Sequence, residues 1–392
     1  MGFSRFFFLF LLIITSYLFI DFPAAKMILH GFSVLILFSF FYTRIIKKGL
    51  KVERVSKDYR TFSGINEEIL LLVKNNSFLP IHALQIEDYA DLSISTSQGC
   101  SSLIFVPPDK EERFDYNVMG RKRGRFKIGP TRIKFNDFLG LFSFHYEENT
   151  ERELIVFPNI CRISNISYKS IQPLGAIKNR VPIFEDPSTI TGLREYQEGD
   201  EIKRINWKIS AKHSKFMITT LQHSISSSSL ILVNLFDGEF DFRLKDYYTE
   251  QAIEICASLL SELFFMKQRM GVGINCRKNR KDMVFLSQIE RGENHYINLL
   301  TELALIESTP QIPFRGVFEE LRTIQWGVSL FIITARLDEV SLDKLIGLQR
   351  TGHTVTIINY GPEIRKDLSL WNIGFQSFYA DISDNVISII RL

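Results

Sequence analysis

Two long apolar runs open the hydropathy pattern. Phe6 to Ile20 carries no charge and Met27 to Ile46 carries Arg44 alone, so each approaches the roughly 20 apolar residues that a bilayer-crossing helix needs. The short polar connection Asp21 to Lys26 predicts a transmembrane helical hairpin over residues 1–48, with both ends on one side of the membrane. Arg44, Lys47, Lys48, Lys51 and Arg54 follow the second run and assign that side to the cytoplasm, giving a two-pass inner-membrane protein with cytoplasmic soluble domains. A secretory signal is the alternative for the first run, but no small-x-small cleavage site follows it.

Beyond residue 48 the period shortens. Glu68 to Val73, Leu103 to Val106 and Arg125 to Ile128 read as short strands, separated by turn signals at Asn75-Asn76-Ser77 and Pro107-Pro108-Asp109. Residues 49–160 are therefore expected to form an all-β, sandwich-like domain. Residues 161–225 read as a connector, weakly patterned up to Pro187.

From residue 226 to 392 strands and helices alternate. Leu230 to Phe236, Val272 to Cys276, Met283 to Leu286, Val328 to Thr334 and Thr354 to Asn359 are the strand candidates. Tyr247 to Met270, His295 to Ile306 and Asp338 to Arg350 carry helical patterns between them. Such alternation predicts an α/β domain with a largely parallel sheet, whose ligand crevice lies at the carboxyl ends of the strands.

The stretch from Arg194 to Lys215 holds ten charged residues in twenty-two, of both signs, between two apolar regions. Gly199-Asp200 reads as a turn feeding a helix capped by Asp200, with Ile202, Ile205 and Ile209 on its buried face and an end near Lys212. Phe216 to Leu221 then reads as a strand. Gly192-Leu193-Arg194-Glu195-Tyr196, Gly199-Asp200, Arg204-Ile205-Asn206-Trp207-Lys208 and Ser210-Ala211-Lys212 resemble the signature of the bacterial domain of unknown function 58 family. Three stretches upstream agree with it. Arg123-Gly124 through Pro130, Asp137-Phe138-Leu139-Gly140-Leu141-Phe142 and Leu154 to Pro158 are similar to other elements of that family, with Phe138 and Leu139 standing where it usually has Pro and Phe. The resemblance implies a von Willebrand factor A-like carboxyl end and action beside MoxR-type AAA ATPases in assembling or activating other proteins.

Composition narrows the chemistry. A net charge of +3 argues against nucleic-acid binding by bulk charge, although Arg121, Lys122, Arg123, Arg125, Lys127, Arg132 and Lys134 form a basic block that suits either an anionic surface or a solvated strand pair. Four dispersed cysteines and seven scattered histidines show no metal-ligand spacing. A metal-binding von Willebrand A domain has Asp-x-Ser-x-Ser after its first strand, and the positions matched to it, Asp237 to Asp241, lack both serines. Asp237, Glu239 and Asp241 are oxygen donors of the kind hard cations take, but no metal and no cofactor is expected. Without a P-loop, Gly-x-Ser-x-Gly or His-Glu-x-x-His, no catalytic residue is selected.

The expected function is thus a non-enzymatic, membrane-anchored scaffold or adaptor whose partners are the lipid bilayer and a MoxR-type ATPase. A divalent-cation-dependent adhesion module and a nucleic-acid binder are the alternatives. Its interaction residues are Arg123, Gly124, Arg194, Tyr196, Gly199, Asp200, Arg204, Trp207, Lys208 and Ser210. Trp207 and Tyr196 suit a hot spot for a protein partner or a stacking platform for a nucleic acid, but the favoured expectation is that Trp207 packs the motif helix against one of the two domains, with Arg194, Asp200 and Arg204 in ion pairs.

Overall fold

The computed structural model describes residues 2–19, 22–56, 58–91, 94–96, 100–164, 190–197, 205–213, 215–221, 228–239, 243–307, 309–321, 324, 326–361, 375–383 and 385–391. They form two compact units, residues 1–160 with 300–307, and residues 161–299 with 308–392.

The first unit begins with helices α1 (Gly2–Phe19) and α2 (Pro23–Gly49). Pro23 opens α2, where its missing N–H costs nothing. Among the described residues, α2 is the helix long and apolar enough to cross a membrane. A large β-rich region follows. One sheet has the order β1-β3-β7-β5, from Leu50–Arg54, Asn66–Asn75, Lys110–Gly120 and Ile94–Thr96. The other has β2-β10-β8-β4-β6, from Tyr59–Phe62, Arg152–Phe157, Gly124–Asn136, Ile81–Ala90 and Ser101–Val106. Strand β9 (Ser143–Glu148) adds to β8.

Period-two burial builds the core of this unit. Ile69, Leu71 and Val73 of β3, Leu84 and Ile86 of β4, Phe114, Tyr116 and Val118 of β7 and Ile133 and Phe135 of β8 all enter one buried cluster. Tyr42 and Ile46, at the carboxyl end of α2, join that cluster, and the Tyr42 hydroxyl donates to Pro80 O at 2.6 Å. The turn read at Asn75 is held by its own side chain, which donates to Leu79 O (2.8 Å) and Pro107 O (3.0 Å).

The second unit holds an eight-stranded sheet of order β11-β20-β19-β18-β17-β14-β15-β16. Its strands are Arg162–Ser164, Val386–Arg391, Gln376–Ser383, Thr354–Asn359, Ser329–Thr334, Ser228–Val233, Arg269–Lys278 and Lys281–Leu286. The run from β15 through β14, β17 and β18 to β19 is parallel, and β16 closes the edge antiparallel. Leu230, Leu232, Leu330, Ile332, Val355 and Ile357 bury one face against Phe314 and the helical residues Val317, Phe318 and Leu345. The remaining elements of the unit are β12 (Ile190–Glu195), β13 (Met217–Leu221) and helices α3 (Trp207–His213), α4 (Lys245–Phe265), α5 (Glu293–Ala304), α6 (Arg315–Glu320) and α7 (Glu339–Arg350). Helix α5 continues past Leu299 into the residues grouped with the first unit.

Three boundaries differ from the sequence reading. Helix α4 ends at Phe265 and not Met270, because Lys267 turns left-handed (φ 57°) and its N–H returns to Phe264 O (2.9 Å) while that of Gln268 returns to Leu263 O (3.0 Å). This is a Schellman ending with Lys where Gly is usual, so no glycine announces it. The connector from residue 161 contains β11, which pairs in parallel with β20. The motif helix starts at Trp207, as described next.

Candidate functional site

The signature region folds on a two-stranded ribbon. Strands β12 and β13 pair antiparallel, with Arg194 opposite Ile218 and Glu195 opposite Met217. The ribbon is extended by Tyr196 N–H donating to Phe216 O (2.8 Å) and Asn206 N–H donating to Met217 O (2.9 Å). Ile205 bridges to Ile218 and is therefore extended, not helical. This corrects the expected helix from Asp200: α3 begins at Trp207, and its cap is Asn206, whose Oδ1 accepts the Ile209 N–H at 3.2 Å. Ser210 is buried, and its Oγ accepts the Met217 N–H (2.8 Å), tying helix to ribbon.

Gly199, Asp200 and Arg204 lie outside the described residues, so the ion pairs expected of Asp200 and Arg204 do too. Arg194 is exposed and donates to Glu195 O (3.2 Å). An ion pair the sequence did not single out joins Glu195 to Lys215 at 2.7 Å, and the Glu195 carboxylate raises the Lys215 ammonium above its ordinary range. Lys208 is exposed.

Trp207 departs from its expected packing role. It is 62 % exposed, and its ring meets Phe216, itself 57 % exposed, edge-on at 6.1 Å. Tyr196 meets the same Phe216 ring at 6.4 Å. The sequence reading places Phe216 in a strand and not in the site; its position across the ribbon from Tyr196 follows from pairing that only the register shows.

The carboxyl ends of the parallel strands converge on a neutral network. Asn234, fully buried just past β14, donates to Thr334 Oγ1 (3.1 Å) and Arg336 O (3.3 Å) and accepts from Phe236 N–H (3.1 Å) and Asn275 Nδ2 (3.3 Å). Asp237 and Glu239 sit farther along in a 3-10 turn, and Asp237 is paired with Lys245 and accepts the Thr309 hydroxyl (3.1 Å). Asp241 lies outside the described residues. Among the described residues no three His, Cys, Asp or Glu side chains gather into a metal-holding group.

Arg123 and Gly124 stand at the turn between β7 and β8. The basic block around them is interleaved with acids: Arg125 pairs with Glu153 at 3.6 Å, and Arg132 lies across the sheet from Glu87 and Glu147.

A family described as "Protein of unknown function DUF58" matches residues 192–379, which take in most of this ribbon, its helix and the strands from β14 to β18. A relative in Bacillus subtilis (strain 168), "Uncharacterized protein YeaD", is 24 % identical over 286 residues, covering 71 % of this chain and 68 % of that protein. Among solved structures, the CARDB domain of the PF1109 protein from Pyrococcus furiosus is 15 % identical, with TM-score 0.21 over 27 % of this chain and 91 % of that one. The native conformation of E. coli alpha-2-macroglobulin is 15 % identical, with TM-score 0.23 over 29 % of this chain and 7 % of that one.

Proposed function

We propose that this chain is a membrane-anchored, non-enzymatic scaffold or adaptor that offers the Tyr196–Phe216–Trp207 surface to a protein partner, a MoxR-type AAA ATPase being the partner the resemblance implies. The observation that carries the reading is the exposure of Trp207 and Phe216 in mutual contact on a hydrogen-bonded ribbon. Large aromatics presented by a rigid element are the usual anchors of protein interfaces. The apolar helix α2 supplies the anchor, and on this reading α1 pairs with it as a two-pass hairpin with both ends cytoplasmic. The α/β sheet is read as von Willebrand A-like, supported by its strand order: from β16 through β15, β14, β17 and β18 to β19 it runs 3-2-1-4-5-6, a doubly wound order.

The adhesion alternative is disfavoured by the engagement of Asp237 with Lys245, and the nucleic-acid alternative by the acids flanking the basic strand. The test is photocrosslinking from position 207 in the intact membrane protein co-expressed with a MoxR-type ATPase. A crosslink from Trp207 and Phe216 but none from Ile65 is expected. Equal capture of the ATPase by the parent and by a Trp207→Ala, Phe216→Ala variant would sink the reading.

A further inference from the structure

The loop Asp137 to Phe142, between β8 and β9, touches the apolar helices of its own unit. Its Asp137 carboxylate accepts the Ser39 hydroxyl of α2. Phe142 is buried with Ile36 of α2 and Ile13 of α1, and its ring meets Phe40 at 6.0 Å. On other sides of α2 at that level, Phe38 and Phe41 are 55 % and 58 % exposed. At about 1.5 Å per helical residue, Ile36 lies roughly 7 Å from Phe41 and 12 Å from Arg44, so the loop reaches well below the first basic residue.

We propose that this loop is embedded in one leaflet of the bilayer beside α2, with Phe138 and Leu139 against lipid acyl chains. The proposal rests on reading α2 as a membrane helix. Phe138 is 73 % exposed and Leu139 43 %, a pair of apolar side chains that water would have to cover if the loop stood clear of the membrane. The apolar surface continues through His82, whose ring meets Phe138 and Phe105 at 5.8 Å each, to the exposed Leu103. A loop entering lipid must satisfy its own backbone, and this one largely does. Leu139 N–H (3.1 Å) and Phe142 N–H (2.6 Å) donate to the Asp137 carboxylate, Asp137 N–H donates to Phe142 O (3.0 Å), and Gly140 N–H donates to Asp137 O (3.1 Å). Gly140 takes the left-handed turn (φ 68°) that closes the loop. Asp137 is thus the clasp that folds the loop inward and fixes it to α2 through Ser39, with its charge spread over three donors. Amphipathic helices lying in the interface bury their apolar faces to about 5–10 Å, a depth sufficient for acyl-chain contact.

The test uses the full chain reconstituted in vesicles of phosphatidylcholine and phosphatidylglycerol. Single cysteines carry an environment-sensitive fluorophore in a Cys100→Ser background, the other three cysteines being buried. Phe138→Cys reports the loop and Val34→Cys, 61 % exposed on α2, reports the span. Ile65→Cys, beside the end of β3 remote from α2, reports water. Labels at 138 and 34 should lose most of their emission to acyl-chain nitroxide lipids, the 138 label to the shallower probe, while the 65 label is quenched by aqueous iodide. Lipid quenching at 34 with iodide quenching at 138 overturns the loop insertion and leaves the membrane reading standing. Protection of 138 from both quenchers also overturns it, since a protein surface then covers the loop. Iodide quenching at both 34 and 138 overturns the membrane reading and the insertion with it.

Discussion

Arg54 and Asp88 face each other at 2.8 Å with neither side chain exposed to solvent. Both carboxylate oxygens accept from the same guanidinium nitrogen, and they also accept from the Tyr116 hydroxyl (2.5 Å) and the Thr131 hydroxyl (2.8 Å). Arg54 Nε donates to Thr150 O (3.0 Å), while its Nη1 is buried with no partner among the described residues. Removing one partner of such a pair strands the other in the core. Asp88→Ala is therefore expected to cost about 3–5 kcal/mol, read as faster amide exchange across β1, β4 and β7. Arg54→Met with Asp88→Leu should recover part of that loss, and adding Tyr116→Phe should recover more by removing the stranded hydroxyl. Exchange in the Asp88→Ala chain equal to the parent's would show the pair contributes nothing.

The same cluster gives a pH dependence. Burial, with the charge of Asp88 beside it, pushes the Tyr116 phenol well above its ordinary range, against a smaller lowering by Arg54. A folded-state pKa above the unfolded one means the stabilisation is full below about pH 10, where the unfolded phenol titrates, and is lost as pH rises from there. Urea unfolding of the parent should weaken above that point by up to about 1.4 kcal/mol per pH unit on account of this residue. In Tyr116→Phe that part of the slope should vanish, and an unchanged alkaline slope would refute the assignment.

Asn206, not Asp200, carries the start of the motif helix. Asn206→Ala should cost α3 about 0.5–2 kcal/mol, seen as faster exchange over residues 207–213. Asp200→Ala should leave the exchange of α3 as it is in the parent. The reverse pattern would return the cap to Asp200.

The physical reasons for these successes and misses are local against non-local information. Thr354 to Asn359 and Asp338 to Arg350 were legible because a buried strand and an amphipathic helix announce themselves within one window. Strand β11 was not, since its three residues are ordered by pairing with Val386, Ile387 and Ser388, more than two hundred positions away. Ile205 matched a helical spacing with Ile209, yet its partner is Ile218 across the ribbon. The buried Arg54 and Asp88 were hidden by the habit of placing charge outside. Period two could have found them, because Leu50, Val52 and Arg54 share one face of β1, and Leu84, Ile86 and Asp88 one face of β4. The aromatic surface was half legible: Trp207 and Tyr196 were singled out from the sequence, but their shared contact with Phe216 needed the ribbon's register.

The buried network at the strand ends carries a stability prediction of its own. Thr334 Oγ1 both accepts from Asn234 and donates to Arg336 O (2.5 Å), and Asn275 Oδ1 accepts the Leu235 N–H (2.8 Å), so Asn234 closes a network that joins β14, β15 and β17. Asn234→Ala takes the acceptor from the Phe236 N–H and the donor from Thr334 Oγ1, and should cost about 1–3 kcal/mol. Asn234→Asp is the more informative change. The new carboxylate keeps the acceptor oxygen for Phe236 N–H but turns its second oxygen toward Arg336 O, where the amide had donated, and it is fully buried. Burial and that carbonyl raise the folded-state pKa above the unfolded value of about 3.9, so the variant should lose stability as pH rises from about 4 and regain it on acidification. Calorimetry of Asn234→Asp at neutral pH with magnesium or calcium then asks whether a cation can take the place of the lost donor. With Asp237 held by Lys245, the expected result is no binding and a stability deficit that metal leaves unchanged. A cation that restores the parent's stability would overturn that expectation and show that one added carboxylate lets this network hold a metal.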